Sequence, residues 1–239
     1  MAAEVAVATR GRALLLDLER TAVVVVDMQN DFVSEGGMFD QNGVPTAAVR
    51  TVVPTIRRVL EAARDRGIPI VYLKMGYEPD LSDLGEEGSV NRDRHLRFGV
   101  GRVVKAPDGG ESRNLIRDTW GTDIIDELAP ETDDIVIYKH RFSGFYETEL
   151  HDTLQRMGAR DLVFTGCTTS ICVDSTIRDA MFRDYRCLVL EDCMAEPIGG
   201  DLERTNHEAT LLTLQTLLGW VGTSRDLLTT LRATADIGS

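Results

Sequence analysis

The feature that most constrains the fold is a series of five short runs of aliphatic and β-branched residues, each ending at polar or turn-forming residues. Stretches with the apolar spacing of helices separate or follow them. Strands that are apolar on both faces and alternate with helices predict a parallel sheet covered on both sides and joined by right-handed crossovers. The runs lie at 21–26, 68–73, 134–138, 161–165 and 187–190, and the helical stretches at 47–66, 147–157, 171–185, 202–218 and 224–231.

The same alternation bears on the number of domains. At about 150 residues per domain, 239 residues allow one large α/β domain or two small ones. The continuous alternation favours one doubly wound domain over residues 1–239. Pro54 should kink the first helix or shorten it from its N-terminal side.

Residues 77–121 interrupt the pattern, since they are rich in Gly, Asp, Glu and Arg and lack core-forming periodicity. A connection of this length is uncommon in a compact domain and usually has a function. We expect a lid or a subunit contact, and a disordered surface insertion is the alternative.

Charge and hydrophobicity limit the partners of the chain. A formal net charge of −13 repels nucleic-acid phosphates and anionic lipid headgroups. The longest apolar runs are well short of the roughly 20 residues of a membrane-spanning helix, and residues 13–16 are too few for the core of a signal peptide. We therefore expect a cytoplasmic protein that binds neither nucleic acid nor membrane.

The cysteines and histidines do not form a recognisable metal site. No C-x-x-C, H-x-H or H-E-x-x-H spacing occurs, so zinc binding has no local sequence support. A chain of this length without an export signal has little need of disulfides. Free thiols are therefore expected at Cys167, Cys172, Cys187 and Cys193.

Three reactive side chains lie at or near the ends of predicted strands. Asp27 and Lys139 each end a strand, and Cys172 follows a third strand closely. Ligands of open parallel sheets bind beyond the carboxyl ends of the strands, so the three groups could meet in one cleft. Taken singly each signal is weak, because Asp often caps turns, Lys is usually at the surface and Cys is usually inert packing.

The setting of Cys172 distinguishes it from the other cysteines. A small polar turn, 166–170, precedes a stretch of helical spacing, which predicts a thiol at a helix N-terminus. The helix dipole, free N–H groups and a nearby lysine would favour the thiolate. The same N–H groups could hold an oxyanion while a carboxylate moves protons.

Three segments that contain these residues resemble the isochorismatase-like cysteine hydrolases. They are 24–32, 139–145 and 165–173, and they occur in the order and spacing of that family. Within it the chain is most similar to ureidoacrylate amidohydrolases, and less so to biuret hydrolases and N-carbamoylsarcosine amidohydrolase. The resemblance implies an isochorismatase-like fold and a homo-oligomer, either a dimer or a tetramer.

The resemblance also implies roles for individual residues. Asp27, Lys139 and Cys172 take the positions of the catalytic triad, and the N–H groups of Thr168 and Cys172 take those of the oxyanion hole. A cis peptide bond is implied between Cys167 and Thr168. The residues implied to lie near the thiol as substrate-binding groups are Phe32, Met75, Tyr77, Phe142 and Phe145.

Departures from the relatives refine the expected chemistry. Isochorismatases proper lack the cysteine, so Cys172 favours C–N hydrolysis. The metal-binding combination of an Asp with histidines found in nicotinamidases is missing from 74–80, which contains no His, so neither a metal nor another cofactor is expected. Where ureidoacrylate amidohydrolases have Asn-Gly-Trp, this chain has Met-Gly-Tyr at 75–77, and Phe32 stands where they have Tyr. Both replacements make this part of the site less polar.

We therefore expect a cysteine-dependent amidohydrolase that cleaves a small non-peptide amide or ureide through an acyl-enzyme. A magnesium-dependent phosphatase of haloacid-dehalogenase type is the first alternative, but Gln29 stands where that chemistry needs a second carboxylate. A non-catalytic binding protein on the same fold is the second.

Overall fold

The computed structural model describes residues 4–235. The strands are β1 Glu4–Val7, β2 Leu14–Asp17, β3 Thr21–Val26, β4 Ile70–Met75, β5 Val103–Lys105, β6 Glu111–Arg113, β7 Ile135–Lys139, β8 Asp161–Cys167, β9 Arg186–Ala195 and β10 Trp220–Gly222. The α-helices are α1 Asn30–Val33, α2 Met38–Gln41, α3 Thr46–Arg50, α4 Val53–Asp65, α5 Val90–Arg97, α6 Leu150–Arg156, α7 Asp174–Met181, α8 Asn206–Thr213 and α9 Ser224–Ala235.

Six of these strands form a central parallel sheet in the order β10-β9-β8-β3-β4-β7. The five strands expected from the sequence are all present, and β10 is added at one edge. The predicted parallel α/β sheet with helices on both faces is confirmed.

Strand β3 shows how the sheet holds its two helical layers. Every residue of this strand is buried, and the side chains alternate between two apolar cores. Val23 and Val25 belong to the core that contains residues of α4 and α9, whereas Val24 and Val26 face α6, α7 and α8. A central strand that is apolar on both faces can be buried only between two such layers.

The helix boundaries differ from the expected ones where local chemistry interrupts them. The stretch 47–66 splits into α3 and α4, with Pro54 in the first turn of α4, where its missing N–H costs no helical hydrogen bond. The stretch 171–185 begins later as α7, after a π-helical turn at Thr169–Val173. A second π-helical turn, Leu214–Leu218, follows α8.

Residues 77–121 form an ordered cover rather than the disordered insertion considered as an alternative. They contain α5 and the antiparallel pair of β5 and β6. Tyr77, which lies two residues after β4, holds the end of this cover next to its beginning, since its N–H donates to Leu115 O at 2.8 Å and its carbonyl accepts from Arg117 N at 3.0 Å. Within residues 4–235, no helix is both long enough and apolar enough to cross a membrane.

Candidate active site

The chain changes direction at the centre of the sheet, between β3 and β8. From β3 it proceeds outward to β4 and β7, and it then returns to β8 on the other side of β3. Such a switch point opens a crevice beyond the carboxyl ends of the two strands. Asp27 follows β3 directly, and Cys167 ends β8 at the same edge, with Thr168 directly after it.

The backbone around Asp27 is tightly constrained. Asp27 has a φ of 53°, and its N–H donates to Leu73 O at 2.9 Å. Gly166 on β8 has a φ of 117°, and a Cβ there would collide with the carbonyl of Val26. The absence of a side chain at Gly166 therefore allows β8 to approach β3, and Cys167 Sγ lies 3.2 Å from Asp27 O.

Lys139 reaches Asp27 across the intervening strand β4. It is the last residue of β7 and is fully buried, and its Nζ donates to Asp27 Oδ2 at 2.7 Å. The same Nζ lies 3.5 Å from Met75 Sδ and 3.4 Å from Arg141 O. The other carboxylate oxygen, Asp27 Oδ1, is buried and accepts no hydrogen bond from the described residues. It is therefore available to take a proton.

Burial and charge oppose each other in this ion pair. Burial raises the pKa of Asp27 above its ordinary value, and the charge of Lys139 counteracts part of that rise. Burial by itself would lower the pKa of Lys139, but the interactions with Asp27 and Cys172 together outweigh it and hold the pKa above its ordinary value. Lys139 is therefore an ammonium group at neutral pH, and Asp27 is a stronger base than an exposed carboxylate.

Cys172 lies within the π-helical turn Thr169–Val173, which is short of the first residue of α7. Burial and the charge of Asp27 raise the pKa of the Cys172 thiol, and Lys139 opposes them. The sequence led us to expect a thiolate stabilised at a helix N-terminus, and the structure favours the protonated thiol instead. Burial and a carboxylate dominate over the dipole here, so the sulfur needs a base to accept its proton.

The turn that carries Cys172 also presents backbone donors. The peptide bond between Cys167 and Thr168 is cis. The carbonyl of Thr168 accepts hydrogen bonds from the N–H groups of Ile171 and Val173, each at 3.2 Å. The N–H of Thr168 itself donates to none of the residues in 4–235. An unused donor beside a thiol can stabilise a developing oxyanion.

A cavity of about 160 Å³ lies over these groups. A cavity of similar size, about 150 Å³, holds benzene in another protein, so this one suits a small ligand. Its apolar walls enclose a polar end. The lining residues are Asp27, Phe32, Met38, Phe39, Met75, Arg94, His95, Phe98, Leu115, Phe142, Cys167, Thr168, Ile171, Cys172 and Ile198.

The structure brings three of the five expected substrate-binding residues to this cavity, namely Phe32, Met75 and Phe142. Tyr77 lies behind the wall, where its ring packs edge-on against His95 with centroids 5.5 Å apart. Phe145 lies in the core beneath the other face of the sheet and stacks on Tyr185 at 5.9 Å. Tyr77 and Phe145 therefore do not line the cavity.

The sequence reasoning missed most of the cover above the thiol. Neither Arg94 nor His95 was assigned to the site from the sequence, yet both line the cavity from α5. A local signal was present, because Ser89 caps α5 by accepting a hydrogen bond from Arg92 N at 3.3 Å. This capping serine and the helix that follows it could have been predicted from the sequence. The position of α5 over the sheet could not, because it depends on contacts with residues that are distant in the chain.

Comparison with known proteins agrees with the fold and with the sequence motifs described above. The family model described as the isochorismatase domain matches residues 21–226. The chain belongs to the isochorismatase family. The resemblance seen in the sequence is thereby confirmed. Within residues 4–235, no group of three His, Cys, Asp or Glu side chains is arranged to hold a metal ion.

Relatives in the isochorismatase family include two proteins named ureidoacrylate amidohydrolase RutB. The one from Yersinia enterocolitica is 37% identical over 201 residues, which cover 84% of each chain. The one from Acinetobacter baylyi is 36% identical over 218 residues, which cover 91% of this chain and 86% of the relative.

Solved structures of the isochorismatase fold agree with these matches. A cysteine hydrolase from Pseudomonas syringae pv. phaseolicola superposes with a TM-score of 0.78 and 26% identity, covering 98% of this chain and 99% of the other. An N-carbamoylsarcosine amidase from Thermoplasma acidophilum has a TM-score of 0.64 and 29% identity, covering 86% and 96%.

Proposed function

We propose that this protein hydrolyses a C–N bond of a small non-peptide amide or ureide, with Asp27, Lys139 and Cys172 as its catalytic triad. The observation that carries the proposal is that Asp27 and Cys172 line one small cavity while Lys139 is hydrogen-bonded to Asp27 behind them. The named activities of its relatives, ureidoacrylate amidohydrolase and N-carbamoylsarcosine amidase, support the same reaction class.

The first half of the reaction forms an acyl-enzyme. Asp27 Oδ1 accepts the thiol proton of Cys172 as the sulfur attacks the substrate carbonyl carbon. The carbonyl oxygen takes up the electron pair and becomes an oxyanion, which the N–H groups of Thr168 and Cys172 stabilise. The C–N bond then breaks, and protonated Asp27 returns the proton to the departing nitrogen.

The second half releases the acyl group. Water attacks the thioester carbonyl while Asp27 accepts one of its protons, and the C–S bond breaks. That proton returns to the sulfur, so the enzyme regains a thiol and an ionised carboxylate. Lys139 keeps its proton throughout, because its pKa is held above its ordinary value. Its hydrogen bond to Oδ2 orients Asp27 and leaves Oδ1 free to transfer the proton.

The cavity also limits the substrate. The wall is mainly apolar, and the space suits a compact acyl group or ureide. Arg94 is exposed at this wall, and no described residue forms an ion pair with it. An arginine without a carboxylate partner in a protein of net charge −13 fits a substrate with a carboxylate at its outer end.

The two alternatives have less support. Gln29, where a phosphatase of haloacid-dehalogenase type needs a carboxylate, is used in holding the backbone of Met75: its Oε1 accepts from Met75 N at 2.7 Å, and its Nε2 donates to Met75 O at 2.9 Å. A binding protein has no need of an ion pair buried beneath a thiol.

We further propose that the protein is cytoplasmic and homo-oligomeric. Cell fractionation would test the location, and light scattering would test the oligomeric state.

The experiment that tests the mechanism is ammonia release from a panel of ureides, carbamoyl compounds and carboxamides. Cys172→Ala should lower kcat on the best substrate by about 10⁴-fold or more, because the nucleophile is lost. Cys193→Ala is the matched control, since that thiol is buried in the core away from the cavity and its loss should leave kcat within about threefold. Intact-mass detection of an acyl adduct that disappears with Cys172 completes the test. Unchanged turnover in Cys172→Ala would refute the mechanism.

A further inference from the structure

His95 is a polar side chain held rigidly in an otherwise mostly apolar wall. It is 8% exposed and lines the same cavity as Asp27 and Cys172. Its ring packs edge-on against Tyr77 and lies 5.5 Å from Phe142 at a tilt of 34°. The two aromatic contacts fix the plane of the imidazole, and a hydrogen bond fixes its rotation.

That hydrogen bond also determines the tautomer. His95 Nδ1 lies 2.7 Å from the backbone carbonyl of Asn91, one turn earlier in α5. A carbonyl can only accept, so Nδ1 carries the proton. Burial, together with the charges of Lys139 and Arg141, lowers the pKa of His95, so the ring is neutral at pH 7. Nε2 then has a lone pair and no proton.

No described residue donates a hydrogen bond to that Nε2. Because Nδ1 bonds the helix backbone, Nε2 lies on the side of the ring that faces away from it. The other polar groups at the cavity are mainly donors: the guanidinium of Arg94 and the N–H of Thr168. Two lining side chains besides Asp27 can accept a hydrogen bond through nitrogen or oxygen: the hydroxyl of Thr168, which can also donate, and His95, whose Nε2 can only accept.

We propose that His95 is a specificity-determining residue, which recognises an N–H group of the substrate through Nε2. This inference rests on the proposed function and narrows it to amides or ureides that retain an N–H near the scissile carbonyl. An ester of the same shape would leave Nε2 buried and unpaired, and such a mismatch is costly in a desolvated site. The cavity is thus built to prefer amides over esters at the binding step.

Binding should be measured by calorimetry at pH 7.5 in the Cys172→Ala protein, whose cavity lacks the proposed nucleophile. The probes are glutaramate and monomethyl glutarate, which share a carboxylate and a carbonyl but differ in having an amide N–H. We expect glutaramate to bind about tenfold more tightly. Adding His95→Phe should abolish that preference, and adding His95→Gln, whose amide oxygen can accept, should retain part of it.

Ester binding is the internal control, because it reports whether the cavity of each variant is intact. Loss of both ligands to the same extent in His95→Phe, or of neither, would overturn the inference, as would failure of glutaramate to bind when His95 is present. The proposed mechanism is judged separately, by turnover of glutaramate with Cys172 restored. A binding preference without thiol-dependent turnover would refute the mechanism alone.

Discussion

Replacement of Lys139 by methionine isolates the buried ion pair behind the cavity. The ammonium nitrogen and Asp27 Oδ2 are 2.7 Å apart, and the two side chains are 0% and 1% exposed. Methionine has a similar unbranched stem and can pack beside Met75, so the change removes the charge while largely filling the volume. What remains is an almost fully buried carboxylate without a counter-charge.

Loss of one partner of a buried pair costs about 3–5 kcal/mol. The carboxylate can avoid part of this cost by taking up a proton, since burial already raises the pKa of Asp27 and Lys139 would no longer oppose it. A folded-state pKa above the unfolded value means that stability is greatest at low pH and is lost as the pH rises through the folded-state pKa. The deficit of Lys139→Met should therefore be small near pH 4 and grow towards pH 8.

The assay is urea-induced unfolding at several pH values between 4 and 8. The control is the double variant Asp27→Asn with Lys139→Met, which removes both charges and should recover most of the loss, to within about 1–2 kcal/mol of the parent protein. The single variant Asp27→Asn is measured in the same way. The reasoning would be contradicted if the loss in free energy of unfolding of Lys139→Met did not change with pH and the loss in the double variant equalled the sum of the losses in the two single variants.

Two further predictions concern the cavity and its cover. Arg94→Gln should raise KM for glutaramate about fivefold in steady-state assays, because the proposed contact with its carboxylate is lost. The KM for butyramide, which has no carboxylate, should stay within about twofold. Equal changes in the two KM values would exclude a carboxylate contact. Burial raises the pKa of Asp31 from 3.8 to about 6, so its contribution to stability is present below pH 3.8 and is lost as the pH rises through about 6. Asp31→Asn cannot titrate, so it serves as the reference. Relative to it, the parent protein should lose about 2.4 kcal/mol of its free energy of unfolding between pH 4 and 7 in urea unfolding, and parallel pH curves would argue against this.

The sheet could be predicted from the sequence because its signal is local. Strand β3 was expected at 21–26 and is found at Thr21–Val26. A short run of aliphatic and β-branched residues between turn-forming residues is typical of a buried strand. The convergence of Asp27 and Lys139 followed from the rule that parallel strands end at one edge. Their hydrogen bond across β4 confirms that the two side chains meet there.

What the sequence did not predict depends on distant contacts. The cover over the cavity has weak periodicity because it packs as turns and short elements, held at points such as the 2.6 Å bond from Leu115 N to Asp31 Oδ2. Tyr77 and Phe145 were assigned to the substrate site by resemblance, and aromatic residues next to strand ends are as suited to the core. The protonated state of Cys172 follows from burial, which periodicity does not report.

The proposed catalytic groups and part of the cavity wall come from separate stretches of chain. Asp27, Lys139 and Cys172 belong to strand ends and the π-helical turn, whereas Arg94, His95, Phe98 and Leu115 belong to residues 77–121. Substitutions within that stretch can alter which molecule the cavity accepts without moving the sulfur of Cys172 or the carboxylate of Asp27. New substrate preferences are thus open to selection, and to the engineer who grafts a different cover, at little risk to the underlying chemistry.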